Sequence, residues 1–163
     1  MNMVAVDIFK LLLSVLIGAL IGAEREYRDK TAGFRTIIFI CVGATLFTIL
    51  SFKIGGDNDP RIAANIVSGI GFLGAGVILR EKGRVVGLTT AAMIWLTAAV
   101  GMGIGAGKYT ISCVAAVIIM AILWLFPSFE NIIDRARETR FYEIVCGLKY
   151  DKAVELQNLF QRN

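Results

Sequence analysis

Apolar residues occur along this chain in long blocks, and charged residues gather in the short segments between the blocks. Each of the five blocks has roughly 17 to 20 residues, the length that an α-helix needs to cross a lipid bilayer. The blocks lie at residues 3–23, 34–52, 62–79, 88–105 and 109–126. The pattern therefore predicts an all-α polytopic membrane protein with five transmembrane helices.

The first block is expected to remain as a helix rather than be cleaved as a signal peptide. It contains Asp7 and Lys10, has no basic segment before it, and is followed by further spans. Because the two residues are three positions apart, they lie on one helix face. We expect them to pair with each other or to extend towards the membrane surface.

Basic residues are concentrated on one side of the predicted spans. The segments after spans one, three and five hold Arg25, Arg28, Lys30, Arg35, Arg80, Lys82, Arg84, Arg135, Arg137 and Arg140. Since positively charged short loops stay in the cytoplasm, the N-terminus is predicted outside and the C-terminus inside. Topology and contact with anionic membrane lipid explain the net charge of +4, so no nucleic-acid partner is expected.

The third block combines one bulky stripe with many small residues. On a helical wheel the stripe consists of Ile62, Ile66, Ile70, Leu73 and Val77, and we expect it to face lipid. The small residues are expected to let neighbouring helices approach closely, as are glycines spaced by four in spans one and four. The predicted packing glycines are Gly18, Gly22, Gly69, Gly71, Gly74, Gly76, Gly101 and Gly105.

Two glycine-rich segments resemble nucleotide-binding motifs, but their contexts exclude that interpretation. Gly69, Gly71 and Gly74 match G-x-G-x-x-G, yet they lie within an apolar helical run and not after a strand. The second segment, GMGIGAGK, has Met102 where a P-loop needs glycine and Tyr109 where it needs serine or threonine.

Few residues could support catalysis. The chain has no histidine, its cysteines (Cys41, Cys113 and Cys146) form no C-x-x-C pair, and a nucleophile such as Ser68 has no base to activate it. We therefore expect neither enzyme activity nor a bound cofactor, with Mg²⁺ as the alternative ligand.

Polar residues at membrane depth form a candidate ion or polar site. Ionisable groups in a bilayer are functional candidates, whereas Asn and Ser also commonly join helices by hydrogen bonds. Thr89 or Thr90 is in addition expected to cap the fourth span. The candidate set comprises Asp7, Glu24, Asn65, Ser68, Thr89 and Thr90.

A cluster at the cytoplasmic ends of spans one and two has two interpretations. Glu24, Arg25, Arg35 and Thr36 could form a salt-bridged latch between the two helices, or Glu24 could coordinate hydrated Mg²⁺. In the loop before span three, Asp59 could cap the next helix, with Pro60 in its first position, or Asp57 and Asp59 could bind a divalent cation outside the cell.

Three domains are predicted. The five-helix membrane domain covers residues 1–127, an amphipathic juxtamembrane helix on the cytoplasmic surface covers 128–140, and a strand followed by a helix covers 141–163. One strand and one helix cannot bury a core alone, so this tail is expected to be part of a larger unit or to pair with a partner.

Several sequence blocks resemble the MgtC/SapB family of bacterial inner-membrane proteins. The blocks are IGAERE, AGFRT, DPRIAANIVSGIGFLGAGVILR, GLTTAAMIW and AAVGMGIGAG, in that order between residues 21 and 107. The resemblance covers Glu24, Arg25, Gly33, Arg35, Thr36, Arg61, Ser68, Gly69, Gly71, Gly74, Gly76, Gly87, Leu88, Thr90 and Trp95; family members can have Asn where Thr89 stands. It also implies that residues 141–163 begin a cytoplasmic domain similar to the ACT fold.

The resemblance implies a role in magnesium homeostasis, growth at low Mg²⁺, survival of pathogens inside host phagocytes and restraint of ATP synthase. Two hypotheses follow. The first is a regulator that acts through helix contacts with a second copy, as a homodimer, or with a partner such as the ATP synthase membrane sector. The second is a transporter or channel for Mg²⁺ or another cation, using polar groups of spans one and three.

Overall fold

The computed structural model describes residues 3–55, 61–81 and 84–136. This part of the chain forms helices α1 (Met3–Tyr27), α2 (Phe34–Gly55), α3 (Arg61–Gly76), α4 (Leu88–Gly105) and α5 (Tyr109–Ala136), with strands β1 (Leu79–Glu81) and β2 (Arg84–Val86) between α3 and α4. The mostly helical fold was predicted from the apolar blocks. The two strands add a short antiparallel hairpin in which Arg80 pairs with Val85.

Four of the described helices are long and apolar enough to cross a membrane: α1, α2, α4 and α5. Helix α3 has 16 residues, which gives it a length of about 24 Å. The hydrocarbon core of a bilayer is about 30 Å thick. The prediction of membrane-spanning helices is therefore confirmed for four helices, and α3 is shorter than a full span.

Helices α1, α2 and α4 form the most closely packed part of the structure, and α3 lies against α4 and α2. The fully enclosed apolar side chains include Ile21, Ile37 and Ile104. Gly101 of α4 lies so close to α2 that an added Cβ would overlap the Cys41 carbonyl oxygen. Small residues thus bring the helix backbones together here, as the four-residue spacing predicted.

Helix α3 turns most of its described bulky stripe towards the protein, contrary to the prediction, although Leu73 of the stripe is exposed. Ile70 is buried, and Ile66 and Val77 pack against the core, whereas Ser68 and Gly71 of the small face are exposed. The prediction that the stripe faces lipid was therefore wrong for these three residues. Lipid and protein interior are equally apolar, so side-chain bulk does not by itself distinguish them.

The start of α4 also differs from the prediction. The N-cap residue is Gly87, at φ 92°, so no side chain caps the helix. Thr89 and Thr90 lie inside the helix, where Thr89 is exposed and Thr90 is buried. A Cβ on Gly87 would overlap the Val77 carbonyl oxygen. The prediction of a threonine cap was wrong because close approach to the β1 side of the hairpin requires glycine before the helix.

Helix α1 ends in a Schellman motif. The Asp29 N–H donates to the Glu26 carbonyl at 3.1 Å, the Lys30 N–H donates to the Arg25 carbonyl at 3.0 Å, and Asp29 has a left-handed φ of 50°. Asp is one of the few non-glycine residues that adopt this conformation. The motif turns the chain sharply, so that α2 can return along α1.

The chain divides into two compact units, Met1–Pro127 and Ser128–Asn163. Residues 128–136 are helical and continue α5. Other predictions lie outside the described residues: the caps or cation site at Asp57, Asp59 and Pro60, the remainder of the amphipathic helix to residue 140, and the strand and helix over 141–163.

Candidate functional site

The ionisable side chains near the start of α1 each bind a partner on another helix. Asp7 forms an ion pair with Lys53 of α2, and Lys10 Nζ donates to the Gly105 carbonyl oxygen at 2.8 Å. Gly105 is the last residue of α4, where a positive charge is favourable because helix carbonyls are left unpaired. Asp7 and Lys10 therefore hold α1 to two helices instead of pairing with each other.

Glu24 lies near the other end of α1 in a buried ion-pair cluster. Its side chain and that of Arg25 are each 4% exposed, and Arg25 Nη2 lies 2.5 Å from Glu24 Oε2. Arg28 Nε lies 2.6 Å from Glu24 Oε1 and forms an ion pair with it, but the two atoms do not form a hydrogen bond. Burial of a carboxylate requires such compensation, and two guanidinium groups supply it here.

The structure places the four predicted latch residues in two groups. Glu24 and Arg25 are paired and buried, whereas Arg35 and Thr36 are exposed in the first turn of α2. Among the described residues, neither of the latter two forms an ion pair or hydrogen bond with Glu24.

The contact between the end of α1 and the start of α2 is instead made by Glu26. Its Oε2 accepts a hydrogen bond from the Phe34 N–H at 2.9 Å, which satisfies one of the unpaired N–H groups at the helix start. A carboxylate is also favoured there by the helix dipole. An acidic residue shortly before the second apolar block was a signal for this contact, which was not predicted from the sequence.

A buried hydroxyl also contributes where α2 meets α4. Thr45 Oγ1 lies 2.9 Å from the Cys41 carbonyl oxygen and 2.8 Å from the Gly101 carbonyl oxygen. The second contact crosses between the helices at the glycine that permits their approach. No role was predicted for Thr45, because which threonine faces a glycine depends on how the two helices are rotated.

The exposed face of α3 differs from the rest of the molecule. Gly69, Gly71 and Gly76 have no atom within 4 Å of an added Cβ, while Gly74 approaches Ala91 at 3.6 Å. Asn65 and Ser68 are also exposed. The small residues of α3 therefore leave room beside the helix that the described part of the chain does not fill.

Asn65 lies in a shallow groove between α2 and α3 with a volume of about 340 Å³. The groove is lined by Gly43, Ala44, Phe47, Asn65, Ile66, Gly69, Ile70 and Leu73. The amide is its one side-chain group capable of several hydrogen bonds. It is therefore placed where an incoming helix could bind it.

The candidate ion-site residues do not come together. Asp7 and Glu24 are 17 residues apart on one helix, a separation of about 25 Å. Asn65 belongs to the α2–α3 groove, and Thr90 is buried within α4. In the described residues no three His, Cys, Asp or Glu side chains form a group that could hold a metal ion.

The apolar helices, the glycine contacts within the bundle and the paired charges at both ends of α1 define a polytopic helical membrane protein. Comparison with known sequences gives the family. The MgtC family profile matches residues 11–132, which is most of the chain, so the chain belongs to the MgtC family.

Similar proteins named Protein MgtC occur in strains of Salmonella and Brucella. The chain is 49% identical to Protein MgtC of Salmonella typhi over 145 residues, which cover 89% of this chain and 59% of the relative. It is 51% identical to Protein MgtC of Brucella abortus (strain 2308) over 120 residues, or 73% of this chain and 50% of the relative. The chain thus spans between half and three fifths of the length of these relatives. No solved structure matches it.

Proposed function

We propose that the protein is a regulator in the bacterial cytoplasmic membrane that acts through helix–helix contacts. Its contact surface is the exposed face of α3, which combines the small residues Gly69, Gly71 and Gly76 with the exposed ring of Phe72. The observation that supports this is the space beside Gly69, Gly71 and Gly76, where an added Cβ would meet nothing within 4 Å. Small residues without neighbours let a second helix approach closely, and close packing is the main source of helix association in lipid.

The position of Asn65 favours a second copy of the chain as the binding partner. An amide exposed to lipid without a hydrogen bond is unfavourable. In a symmetric contact between two α3 helices, the Asn65 amide of one copy can bind the same group of the other. An interhelical hydrogen bond of this kind contributes about 1 kcal/mol in a membrane.

The biological setting of the proposal is drawn from the resemblance to the family. In this proposal the protein lies in the inner membrane with its N-terminus outside and its C-terminus inside, and contributes to magnesium homeostasis, adaptation to low Mg²⁺ and survival of pathogens inside host cells. Restraint of ATP synthase through contact with its membrane sector is part of the same proposal. A helix-binding face suits such a role because it needs no catalytic group.

Association in lipid bilayers tests the proposed contact. Energy transfer between labelled copies measures the apparent affinity of association. This affinity should be at least about tenfold lower for Gly71→Leu than for the parent, because a side chain of that size prevents close approach of two helices. Asn65→Leu should weaken association less. Ala99→Leu is the matched control, since Ala99 is an exposed small residue on α4. Equal association of all three variants and the parent would rule out α3 as the contact surface.

The alternative, transport of Mg²⁺ or another cation, has less support in the site. Asp7 is paired with Lys53, and Glu24 is paired with Arg25 and Arg28, so an entering cation would compete with positive side chains at both carboxylates. Flux into liposomes containing the purified protein separates the two functions. Cation flux that disappears in Asn65→Leu would support transport over regulation.

A further inference from the structure

Helices α1 and α5 enclose a second groove, and its lining is almost entirely apolar. It runs along residues 13–21 of α1 and 113–124 of α5 and has a volume of about 550 Å³. Eleven residue steps along α5 correspond to a length of about 16 Å. The groove is therefore long and narrow, a shape that suits an extended hydrocarbon chain.

The two ends of this groove differ. Near the start of both helices, the Phe9 and Tyr109 rings pack edge to face with their centroids 5.8 Å apart. At the other end Trp124 lines the groove and is 71% exposed. An exposed tryptophan is typical of the level where lipid head groups begin.

Positively charged side chains follow the groove-lining residues of α1, beyond the end of the groove that Trp124 lines. Leu16 and Leu20 line the groove, and Glu24 and Arg28 follow at steps of four residues, with Arg28 one residue beyond the end of α1. Because each such step advances only about 40° around the helix, Glu24 and Arg28 lie towards the side of α1 that lines the groove. Residues 24–35 at this end of the molecule carry four basic side chains (Arg25, Arg28, Lys30 and Arg35) and three acidic ones (Glu24, Glu26 and Asp29), a net charge of +1. The Arg28 side chain is 33% exposed, so its guanidinium group can donate to an anion.

We propose that this groove, together with Arg28, is a binding site for one anionic phospholipid. One acyl chain would lie between α1 and α5, and the phosphate would accept hydrogen bonds from the Arg28 guanidinium. Arginine suits this role because its planar donors match phosphate oxygens. The net positive charge favours an anionic lipid over a zwitterionic one. A purely apolar partner helix in the groove would not neutralise this charge.

Fluorescence quenching by brominated lipids tests the site in bilayers with the full chain. The protein contains two tryptophans, Trp95 and Trp124, so Trp95→Phe leaves a single reporter in the groove. Phosphatidylglycerol with a brominated acyl chain should quench Trp124 about fivefold more effectively than brominated phosphatidylcholine at the same low mole fraction. This ratio corresponds to about 1 kcal/mol, the contribution expected of one basic side chain.

Matched variants separate specific binding from general attraction. In the Trp95→Phe background, Arg28→Gln should abolish the preference, and Arg35→Gln should retain it, because Arg35 is an exposed cation on α2. Ala121→Leu, which narrows the groove at an exposed position, should reduce it without changing any charge. The reverse reporter, Trp124→Phe with Trp95 retained, should show no preference.

Three results would overturn the proposal. Equal quenching of Trp124 by the two lipids would show ordinary boundary lipid. Equal loss in Arg28→Gln and Arg35→Gln would show diffuse attraction to the charged surface. Protection of Trp124 from both lipids would show that another helix, from a second copy or a partner, occupies the groove.

Discussion

Two sets of glycines that look alike in the sequence behave differently in the structure. Gly22 and Gly105 lie where helices cross, and their added Cβ atoms would come within 2.8 Å of the Phe34 carbonyl oxygen and 2.7 Å of the Thr45 carbonyl oxygen. Gly69, Gly71 and Gly76 of α3 would meet nothing within 4 Å. The first set already joins α1, α2 and α4, whereas the second remains available.

The two sets therefore contribute to different properties: the first set to the stability of the folded protomer, and the second to its association with a partner. A side chain added in the first set must displace backbone atoms, which is costly because interiors are densely packed. A side chain added in the second set meets open space within the chain and can affect only what binds from outside. Substitutions at the two sets should therefore have different effects on the folded protomer and on its association.

The largest expected effect is at Gly101. Gly101→Ala should destabilise the protomer by about 3 kcal/mol, because the new methyl group overlaps the Cys41 carbonyl oxygen. Gly71→Ala is the matched control and should be neutral or stabilising by up to about 1 kcal/mol, since alanine favours helix. Unfolding titrations in detergent micelles measure both, and similar losses would contradict the contrast between the two sets.

A smaller effect is expected for the polar groups of the two regions. Thr45→Val should cost the protomer about 1 kcal/mol because it removes the hydrogen bond to the Gly101 carbonyl oxygen. Asn65→Leu should leave protomer unfolding unchanged, since the described part of the chain provides no hydrogen bond to this exposed amide. The same unfolding titration applies, and destabilisation by Asn65→Leu would place that amide among the structural groups.

The smallest expected effect concerns the connection between α1 and α2. Glu26→Gln should destabilise the protomer by about 0.5 kcal/mol, because it weakens the charged hydrogen bond to the Phe34 N–H at the start of α2. Unfolding at low and high salt measures this, with the parent losing more stability in salt than the variant. Equal salt responses would indicate that the carboxylate charge does not contribute.

The helices could be located from the sequence because the length of an apolar block is a local property. The start of α2 at Phe34 and the bounds of α4, Leu88–Gly105, agree with the predicted blocks. Glu24 and Arg25 were predicted as a cluster, but Arg28 was not predicted as the second partner of Glu24. The i, i+4 spacing of Glu24 and Arg28 was a usable signal. For the α1–α2 connection, the choice between Arg35 and Glu26 depended on the path of the turn at Asp29.

The orientation of α3 could not be read from its sequence. A helical wheel separates the bulky face around Ile70 from the small face around Gly71 but does not say which one meets the protein. In water the apolar face would turn inward, and this rule weakens in a membrane because lipid is apolar as well. Packing against α4 and α2 therefore decides the orientation.

The sequence by itself determined the membrane class, the helix positions and the family, because these depend on the length and order of apolar segments and on characteristic blocks. Tertiary structure decided which glycines are closed and which are open, and which charges pair, such as Asp7 with Lys53. It also brought α1 and α5 together around the apolar groove. These features depend on the rotation and separation of helices distant in sequence, which helical periodicity leaves undetermined.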